Sequence, residues 1–392
     1  MTNLAIVVVA YNRDESLKRL LESLRKADYL NQDVTLIISI DYSKNAKVLE
    51  IAKGFCWNHG EKKIINHTVN LGLKKHVLEV GNLTKDFDAI IVLEDDLIVS
   101  NQFYNFAVQA YENYKDDQSI AGISLYSFRV NPNNRVTFYP STDGYDNFFL
   151  QYAQSWGQVW WKTEWDSFIS WMSKKDEFLS ASDYPASLDF WSKNSWLKYH
   201  ILFCIENNKF FVYPKESFTG NFSEPGVHNQ KKDSTFQSPF STQMWRKEYL
   251  FSGFDTGNKY DSFFERLLPD KKLAIDNEVI STSDIEMDLY GTKANFRKPF
   301  CVSSQNLEFA ILSSFGLQLK PHEANIILNV EGNQLYLYDT TKQIGKRSKS
   351  ELDYCYYFKL SDYKIVWISL KKLVLDLFKI KIKDISKKLR RG

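Results

Sequence analysis

The first third of the chain alternates short apolar runs with stretches that carry one apolar face. The run 4–9 is continuously apolar and rich in β-branched residues, which is typical of a strand covered on both faces. The stretch that follows repeats leucine at helical spacing, at Leu17, Leu20, Leu21 and Leu24. Further strands are predicted at 34–40, 63–67 and 89–93, with helical stretches between them. This order predicts an α/β fold built on a mostly parallel sheet with right-handed crossovers.

Polar residues directly follow three of these predicted strands. The segment 10–13 follows the first strand, Asp41 follows the second, and the acidic triplet 94–96 follows the fourth. In parallel sheets of this kind, ligands bind at the carboxyl ends of the strands. We therefore expect one functional site, whose residues are Ala10, Tyr11, Asn12, Arg13, Asp41, Glu94, Asp95 and Asp96.

The acidic triplet is the sharpest chemical feature of the sequence. Three adjacent carboxylates repel one another, so a fold keeps them together only with a compensating cation. Hard oxygen ligands suit Mg²⁺ or Mn²⁺, and either ion leaves coordination positions open for water and phosphate oxygens. The alternative is an acidic loop that caps the next helix, because Asp and Glu favour helix N-termini. The position of the triplet at a strand end favours metal binding.

Composition and charge exclude several classes of protein. With 44% hydrophobic and 25% charged residues, the chain has the composition of a folded soluble protein. A net charge of +2 predicts no general attraction to nucleic acid. The four cysteines form no zinc-binding spacing and suit a reducing compartment. Because there is neither a signal-peptide pattern nor an apolar run of about 18 to 20 residues, we expect a cytoplasmic protein.

The remainder of the chain changes character twice. One domain is expected over 1–290, formed by an α/β region over 1–127 and by an irregular, strongly aromatic region over 128–290. A small β-rich appendage is expected over 291–366. Its predicted strands are 324–328, 334–338 and 354–360.

A basic amphipathic tail is expected over 367–392. From Lys371 to Gly392, nine basic residues against two acidic ones give a net charge of +7. Apolar residues lie close to one helical stripe, and Trp367 precedes them. This pattern predicts peripheral attachment to an anionic membrane surface, on the inner face of the cell membrane. The alternative is a C-terminal helix that packs on its own domain.

Three segments of the first third resemble known enzymes. AIVVVAYNR at 5–13, IISIDY at 37–42 and VLEDDLIVS at 92–100 resemble, in order and spacing, the nucleotide-sugar half of GT-A fold glycosyltransferases. The closest resemblance is to N-acetylglucosaminyltransferase I and to bacterial family-2-like sugar transferases. Weaker similarity continues to about residue 228 and does not reach the appendage. The resemblance implies a metal-dependent, inverting hexosyl- or N-acetylhexosaminyltransferase that uses a UDP-sugar.

The resemblance also implies roles for the residues at the strand ends. The segment 10–13 and Asp41 would contact the nucleotide, with Asp41 at the uracil edge. Glu94 would face the ribose, Asp95 the donor sugar, and Asp96 the divalent metal that bridges the diphosphate.

Two further positions would complete the donor side by the same resemblance. His228 would contact the metal or the diphosphate, since imidazole can serve either purpose. Lys74 could add positive charge near the phosphates, although a solvated helix face is the alternative for this lysine.

The acceptor side and the general base rest on weaker patterns. Trp156 and Gly157 resemble an acceptor-side loop, in which the indole can stack on a sugar ring. Asn194 stands where related sequences carry the aspartate that deprotonates the acceptor hydroxyl, and an amide cannot act as a base. Asp189 is therefore the proposed substitute, with Asp183 as the alternative, unless Asp189 only caps a local helix.

These patterns together predict an enzyme of glycan synthesis. The expected acceptor is a glycan or a lipid-linked oligosaccharide, in the synthesis of bacterial surface polysaccharide. One alternative is a glycan-binding or scaffold protein without activity, which would explain Asn194 and the many aromatic residues. The other is a sugar-phosphate nucleotidyltransferase, but that class usually has a glycine-rich basic loop after the first strand, and the segment 10–13 contains no glycine.

Overall fold

A computed structural model describes residues 2–174, 184–222, 234–269, 272–275 and 278–344, together with positions 370 and 374. The first strands are β1 (Leu4–Ala10), β2 (Leu36–Ile40), β3 (Lys62–Asn66), β4 (Ala89–Glu94), β5 (Leu97–Val99) and β6 (Ile120–Ser124). The helices among them are α1 (Asp14–Lys26), α2 (Ala46–Gly54), α3 (Leu73–Gly81) and α4 (Phe103–Tyr114).

The middle of the chain continues with mixed elements. These are β7 (Asn147–Leu150), β8 (Gln158–Trp161), α5 (Lys162–Ser173), α6 (Trp196–Glu206), β9 (Phe210–Pro214), β10 (Thr219–Asn221), β11 (Lys259–Tyr260) and β12 (Arg266–Leu267). The last elements are β13 (Lys272–Ile275), β14 (Glu278–Ser281), β15 (Ile285–Asp288), β16 (Phe300–Ser303), β17 (Phe309–Phe315), α7 (Ala324–Ile327) and β18 (Leu335–Gln343). Short 3₁₀ turns lie at Asn82–Lys85, Ala186–Phe190 and Thr282–Asp284.

Strand β1 is central to the fold because it is buried on both faces. Its neighbours β2 and β4 both run parallel to it. Ile6 and Val8 pack into one hydrophobic core, whereas Val7 and Val9 pack into the other. A strand covered on both sides needs apolar residues without alternation, which is the pattern of 4–9.

The main sheet has ten strands in the order β12-β11-β7-β9-β6-β8-β4-β1-β2-β3. The four strands β3, β2, β1 and β4 are parallel throughout. Strand β8 runs antiparallel between β4 and β6, and the pairings beyond it are mixed. The predicted α/β fold with a mostly parallel sheet is therefore confirmed, and the antiparallel pairings all involve strands from the aromatic region of the chain.

Helices cover both faces of this sheet. Side chains of α1, α2 and α4 form one core with the sheet, and side chains of α3, α5 and α6 form the other. Helix α1 buries the leucine stripe that its sequence predicts. Helix α6 starts after Ser195, whose side chain accepts a hydrogen bond from the Lys198 backbone N–H.

The C-terminal region contains a separate four-stranded sheet in the order β15-β16-β18-β17. Its first strand starts at Ile285, ahead of the predicted boundary at 291. The expected strand at 334–338 is present as part of β18. The expected strand at 324–328 is wrong, because this run forms helix α7. The predicted strand at 354–360 and the tail interpretation fall outside the described residues, apart from positions 370 and 374.

The side-chain amide of Asn325 explains the turn that precedes α7. It donates to the Leu319 carbonyl oxygen and accepts from the Leu319 N–H, both at 2.9 Å. Asn325 is fully buried, so these bonds hold the chain in a compact turn instead of an extended strand. A short apolar run is ambiguous between strand and helix, and the buried amide decides it here.

The appendage contacts the main sheet through buried polar groups. Lys293 is 8% exposed and its Nζ lies 2.7 Å from Asp261 and 3.2 Å from Glu286. The Glu323 carboxylate accepts a 2.5 Å hydrogen bond from Ser141 and lies 3.7 Å from the Arg266 guanidinium. Among the described residues, no helix combines the length and the hydrophobicity that a bilayer crossing requires.

Candidate functional site

The carboxyl ends of β1, β2 and β4 meet at one edge of the sheet. Val9 pairs with Glu94 in the register of β1 and β4. The Asp95 N–H donates to the Val9 carbonyl oxygen at 3.1 Å, and the Asp41 N–H donates to that of Ala10 at 2.9 Å. The backbone therefore places the segment 10–13, Asp41 and the acidic triplet next to one another.

Arg13 is the positive partner of the acidic triplet. Its Nη2 lies 2.5 Å from Asp95 Oδ1, and its Nη1 lies 2.7 Å from Asp96 Oδ2. The Tyr11 N–H donates to Asp95 Oδ2 at 3.1 Å. Among the described residues, the second carboxylate oxygen of Asp96 is buried without a hydrogen-bond partner. One guanidinium thus pairs with two of the three carboxyl groups of the triplet.

The electrostatics of the triplet reflect this imbalance. Burial, together with the charges of Asp96 and Asp95, raises the pKa of Glu94 to about 8. Burial raises the pKa of Asp95 to about 6, although the Arg13 charge opposes that shift. Glu94 also lines a narrow cavity beside Val9 and Trp196. A further cation at this place would favour the ionised form of all three carboxyl groups.

The donor set fits a hard divalent ion that completes its coordination from outside the protein. Asp96 offers a buried, unpaired carboxylate oxygen, which is the kind of ligand that Mg²⁺ and Mn²⁺ prefer. Among the described residues, no group of three or more His, Cys, Asp or Glu side chains is arranged around a common metal position. Water and substrate oxygens would therefore supply the other ligands. His228 lies outside the described residues.

Asp41 organises the loop before α3. Its carboxylate accepts backbone hydrogen bonds from Tyr42 and Leu71, both at 2.8 Å, and from Gly72 at 3.0 Å. Gly72 has φ 75°, in the left-handed region that favours glycine, and it precedes the first turn of α3. Asp41 thus holds the α3 N-terminus at the same edge of the sheet as the triplet.

Lys74 lies in the first turn of α3 and contacts α6. Its Nζ is 3.7 Å from the centroid of the Tyr199 ring and 3.4 Å from the Lys193 carbonyl oxygen. This places the segment that leads into α6 beside the N-terminus of α3. Lys74 is half-buried, and its role at the phosphates stays a prediction.

Trp156, which precedes Gly157, lines a cleft of about 560 Å³. The rings of Tyr126, Trp156, Phe222 and Phe240 line it, together with amide and hydroxyl side chains. Gly157 has φ +96°, and a Cβ there would lie 2.9 Å from Thr219 and 3.2 Å from Leu93. This glycine lets the loop pack against the end of β4. Aromatic faces beside neutral hydrogen-bonding groups are suited to sugar rings.

The candidate base lies on a surface turn. Asp189 is exposed within the 3₁₀ turn 186–190, and its Oδ1 accepts a 2.8 Å hydrogen bond from the Tyr184 hydroxyl. The turn begins after Pro185, so Asp189 lies inside it and does not cap it. Asn194 is exposed, and Asp183 falls outside the described residues. The described contact of the Asp189 carboxylate is with Tyr184 and not with the triplet.

Some features of the site could not be identified from the sequence. The sequence predicts a nucleotide contact for Arg13, yet its ion pairs with Asp95 and Asp96 depend on the register of β1 and β4. Tyr126 and Phe240 are 114 positions apart and carry no local pattern that would place them in one cleft. The rest of the site is identified in the sequence by the polar residues that directly follow the predicted strands.

Comparison with known proteins gives a family for the N-terminal region. Residues 5–174 match the family model "Glycosyl transferase family 2". No curated protein matches the sequence significantly.

Solved structures with a similar fold give partial superpositions. S. aureus TarS 1–349 in complex with UDP-GlcNAc shares 13% identity, with 58% of this chain and 60% of that chain covered and a TM-score of 0.38. The Pyrobaculum calidifontis mannosyltransferase PcManGT in complex with GDP-Man and Mn²⁺ shares 11% identity, with 48% and 50% covered and a TM-score of 0.31. A Leptospira borgpetersenii cytidylyltransferase shares 14% identity, with 56% and 78% covered and a TM-score of 0.32. The chain thus spans about 60% of the TarS chain.

The family match covers β1 to β8, and with them the segment 10–13, Asp41 and the acidic triplet. The resemblance to GT-A sugar transferases is therefore confirmed for the region of the chain that carries the site. Residues 5–174 are similar to the glycosyltransferases of family 2.

Proposed function

We propose that this glycosyltransferase moves a sugar from a UDP-sugar to a glycan acceptor with the help of Mn²⁺ or Mg²⁺. The observation that carries the proposal is the acidic triplet at the end of β4, where Asp96 has a buried oxygen without a hydrogen-bond partner among the residues that the structure describes. Such an oxygen, next to a strand edge where nucleotides bind in α/β sheets, is a site for a cation and its diphosphate.

The donor side is formed by the three strand ends. Asp96 would hold the metal, Asp95 would contact the donor sugar, and Glu94 would face the ribose. A bound divalent ion would supply positive charge to offset the charge that develops on the diphosphate when the bond between diphosphate and sugar breaks. Asp41 and the segment 10–13 position the nucleoside, with Asp41 fixing the loop that begins α3.

The acceptor side is the aromatic cleft at Trp156. Sugar rings bind by stacking on aromatic faces, and neutral amides and hydroxyls orient their hydroxyl groups. Strand β5 follows Asp96 directly and its Ile98 lines the cleft. The acceptor would therefore approach the donor along β5.

A transfer that inverts the configuration at the sugar carbon needs a carboxylate that deprotonates the acceptor hydroxyl. Asp189 is our candidate because it is ionisable and accessible near the segment that leads into α6. Asp183 is the alternative. In either case the reaction forms a bond from the acceptor oxygen to the sugar carbon and releases UDP.

The setting we propose is the inner face of a bacterial cell membrane, during the synthesis of surface polysaccharide. The basic, amphipathic composition of 367–392 supports it, since such segments bind anionic lipid. A lipid-linked acceptor would then be concentrated where the enzyme binds.

The test is UDP release from a panel of UDP-sugars, with and without acceptor, in EDTA and after addition of Mn²⁺ or Mg²⁺. We expect metal-dependent UDP release from one donor and none from the others. Release of pyrophosphate from UTP and a sugar phosphate would identify a nucleotidyltransferase instead. Glycan binding without nucleotide binding would identify a scaffold, and either result would overturn the proposal.

A further inference from the structure

The ion pairs of Arg13 occupy one oxygen of Asp95 and one oxygen of Asp96. Nη1 of Arg13 lies 2.7 Å from Asp96 Oδ2, and Nη2 lies 2.5 Å from Asp95 Oδ1. These contacts bring a positive charge into the centre of the triplet without any metal. A divalent ion and a guanidinium repel each other. If both contact the Asp96 carboxylate, each one therefore weakens the binding of the other.

The position of Arg13 allows its side chain to move away from the acidic triplet. Its side chain is 31% exposed, whereas those of Asp95 and Asp96 are 2% and 14% exposed. Arg13 is the residue that precedes α1, and its side chain makes no capping bond with that helix. Its long stem can therefore move towards solvent without disturbing the helix, while Asp95 and Asp96 stay in the short turn between β4 and β5.

The Oδ1 atom of Asp96 is the place where a metal ion could bind. Arg13 contacts one carboxylate oxygen of Asp96, and no other side chain or backbone group in the described part of the chain bonds the buried Oδ1. A buried charged acceptor without a partner destabilises the folded protein. The arrangement in which Arg13 pairs with Asp95 and Asp96 therefore leaves room for a second cation. A metal ion could bind Oδ1 and then compete with Arg13 for Oδ2.

We propose that Arg13 acts as a metal latch: its guanidinium holds the triplet together before the cation binds and is displaced from Asp96 when it does. The latch stabilises the acidic triplet in the free enzyme at the expense of metal affinity. The released guanidinium then lies at the end of β1, where it can pair with the diphosphate. This last step rests on the proposed function, but the competition itself concerns only the protein and the metal.

The experiment measures Mn²⁺ binding by the full chain, by calorimetry and by the loss of the free-Mn²⁺ electron paramagnetic resonance signal. Four variants are compared with the unmodified protein: Arg13→Gln, Arg13→Lys, Asp96→Asn and Arg25→Gln. Arg25 is the matched control because it lies on α1 and pairs with Glu22, outside the site. Circular dichroism verifies that each variant is folded.

The latch predicts tighter metal binding when the guanidinium is removed. Arg13→Gln should lower the Mn²⁺ dissociation constant about tenfold or more, since a charge-assisted hydrogen bond no longer has to be broken. The Mn²⁺ dissociation constant of Arg13→Lys should lie between those of Arg13→Gln and the unmodified protein, because a single ammonium cannot bridge both carboxylates. Arg25→Gln should leave the affinity unchanged.

Thermal unfolding gives a second and independent measurement. Without metal, Arg13→Gln should unfold at a lower temperature than the unmodified protein, because the carboxylates lose their partner. Saturating Mn²⁺ should raise its melting temperature by more than it raises that of the unmodified protein. Equal increases in the two proteins would overturn the latch.

The outcomes separate the latch from the metal site. If Mn²⁺ binding is lost in Asp96→Asn but unchanged or weaker in Arg13→Gln, the latch is wrong and the metal site stands. If only Arg13→Gln binds Mn²⁺, the latch holds strongly enough to exclude the metal. If neither the unmodified protein nor Arg13→Gln binds Mn²⁺, with or without UDP, the latch fails together with the metal dependence.

Discussion

Leu97 and Asn221 pair in the antiparallel ladder of β5 and β10. Leu97 directly follows the acidic triplet, and Asn221 lines the aromatic cleft. The proposed donor and acceptor sides therefore belong to one hydrogen-bonded unit, which fixes their spacing. An enzyme that moves a sugar between two substrates depends on this kind of fixed geometry.

Asp96 is expected to be essential for turnover but not for folding. Asp96→Asn should lower kcat by about 100-fold or more, because it weakens the proposed metal ligand while keeping the side-chain shape. The measurement is UDP release at saturating donor, with melting temperature as the check on folding. Asp86→Asn, an exposed substitution outside the site, is the control. Full activity of Asp96→Asn would show that the site is assigned wrongly.

The two candidate bases can be separated by kinetics. Asp189→Asn should lower kcat by about 10²- to 10⁴-fold and leave the donor KM nearly unchanged, since only the transition state uses the proton affinity of the base. Asp183→Asn should then behave like the unmodified enzyme. The reverse pattern would make Asp183 the base, and normal turnover in both variants would place the base elsewhere.

Gly157 is expected to be required by its backbone conformation and by close packing. Gly157→Ala should destabilise the protein by about 2–4 kcal/mol, because a Cβ at φ +96° would also press on Thr219 and Leu93. Gly144 is the matched control, since it has φ +87° but no atoms within 4 Å of the place that a Cβ would take. Gly144→Ala should cost only about 1 kcal/mol. Denaturant unfolding measures both, and equal costs would contradict the packing argument.

His200 should make the protein sensitive to acid. Burial lowers the pKa of this histidine to about 3, and its ring stacks on Phe168 with 4.4 Å between centroids. Between about pH 6.5 and 3 the unfolded chain binds a proton that the folded chain does not, so stability falls as the pH falls. The slope from this group is at most about 1.4 kcal/mol per pH unit.

The variant His200→Phe tests this origin of acid sensitivity. Among the described residues, Nδ1 of His200 has no hydrogen-bond partner, so a phenyl ring loses no bond at that atom. Free energies of unfolding measured from pH 7 to pH 4 should fall less steeply in His200→Phe than in the unmodified protein. Identical slopes in the two proteins would exclude His200 as the cause.

The tail is expected to bind anionic lipid. Replacing Lys379, Lys381 and Lys383 by Gln should weaken binding to anionic vesicles about 100-fold, at about 1 kcal/mol per basic residue. Substituting the exposed residues Lys53, Lys63 and Lys85 by Gln should have little effect on vesicle binding. Co-sedimentation with vesicles of 30% anionic lipid (roughly a bacterial inner leaflet) measures both. Undiminished binding after the tail substitutions would show that another surface attaches the enzyme.

The parallel half of the sheet could be predicted because its strands are buried on both faces. Such strands need continuous apolar residues, as in 4–9, and the polar residue after each strand then marks the site edge. The run at 324–328 shows the limit of this argument, since its conformation depends on the Asn325 amide and the Leu319 backbone. The Arg13 ion pairs likewise follow from strand register, which no local pattern encodes.

Lys293 has a consequence for how the chain can be divided. It joins Asp261 of the main sheet region to Glu286 of the C-terminal sheet and is itself almost fully buried. A fragment that ended before Glu286 would leave Asp261 without this cation, and it would remove the Glu323 carboxylate to which the Tyr260 hydroxyl donates and the Tyr290 N–H that donates to Glu265. We therefore expect the two sheets to unfold together, so that the C-terminal sheet can be exchanged only together with the surface on which it rests.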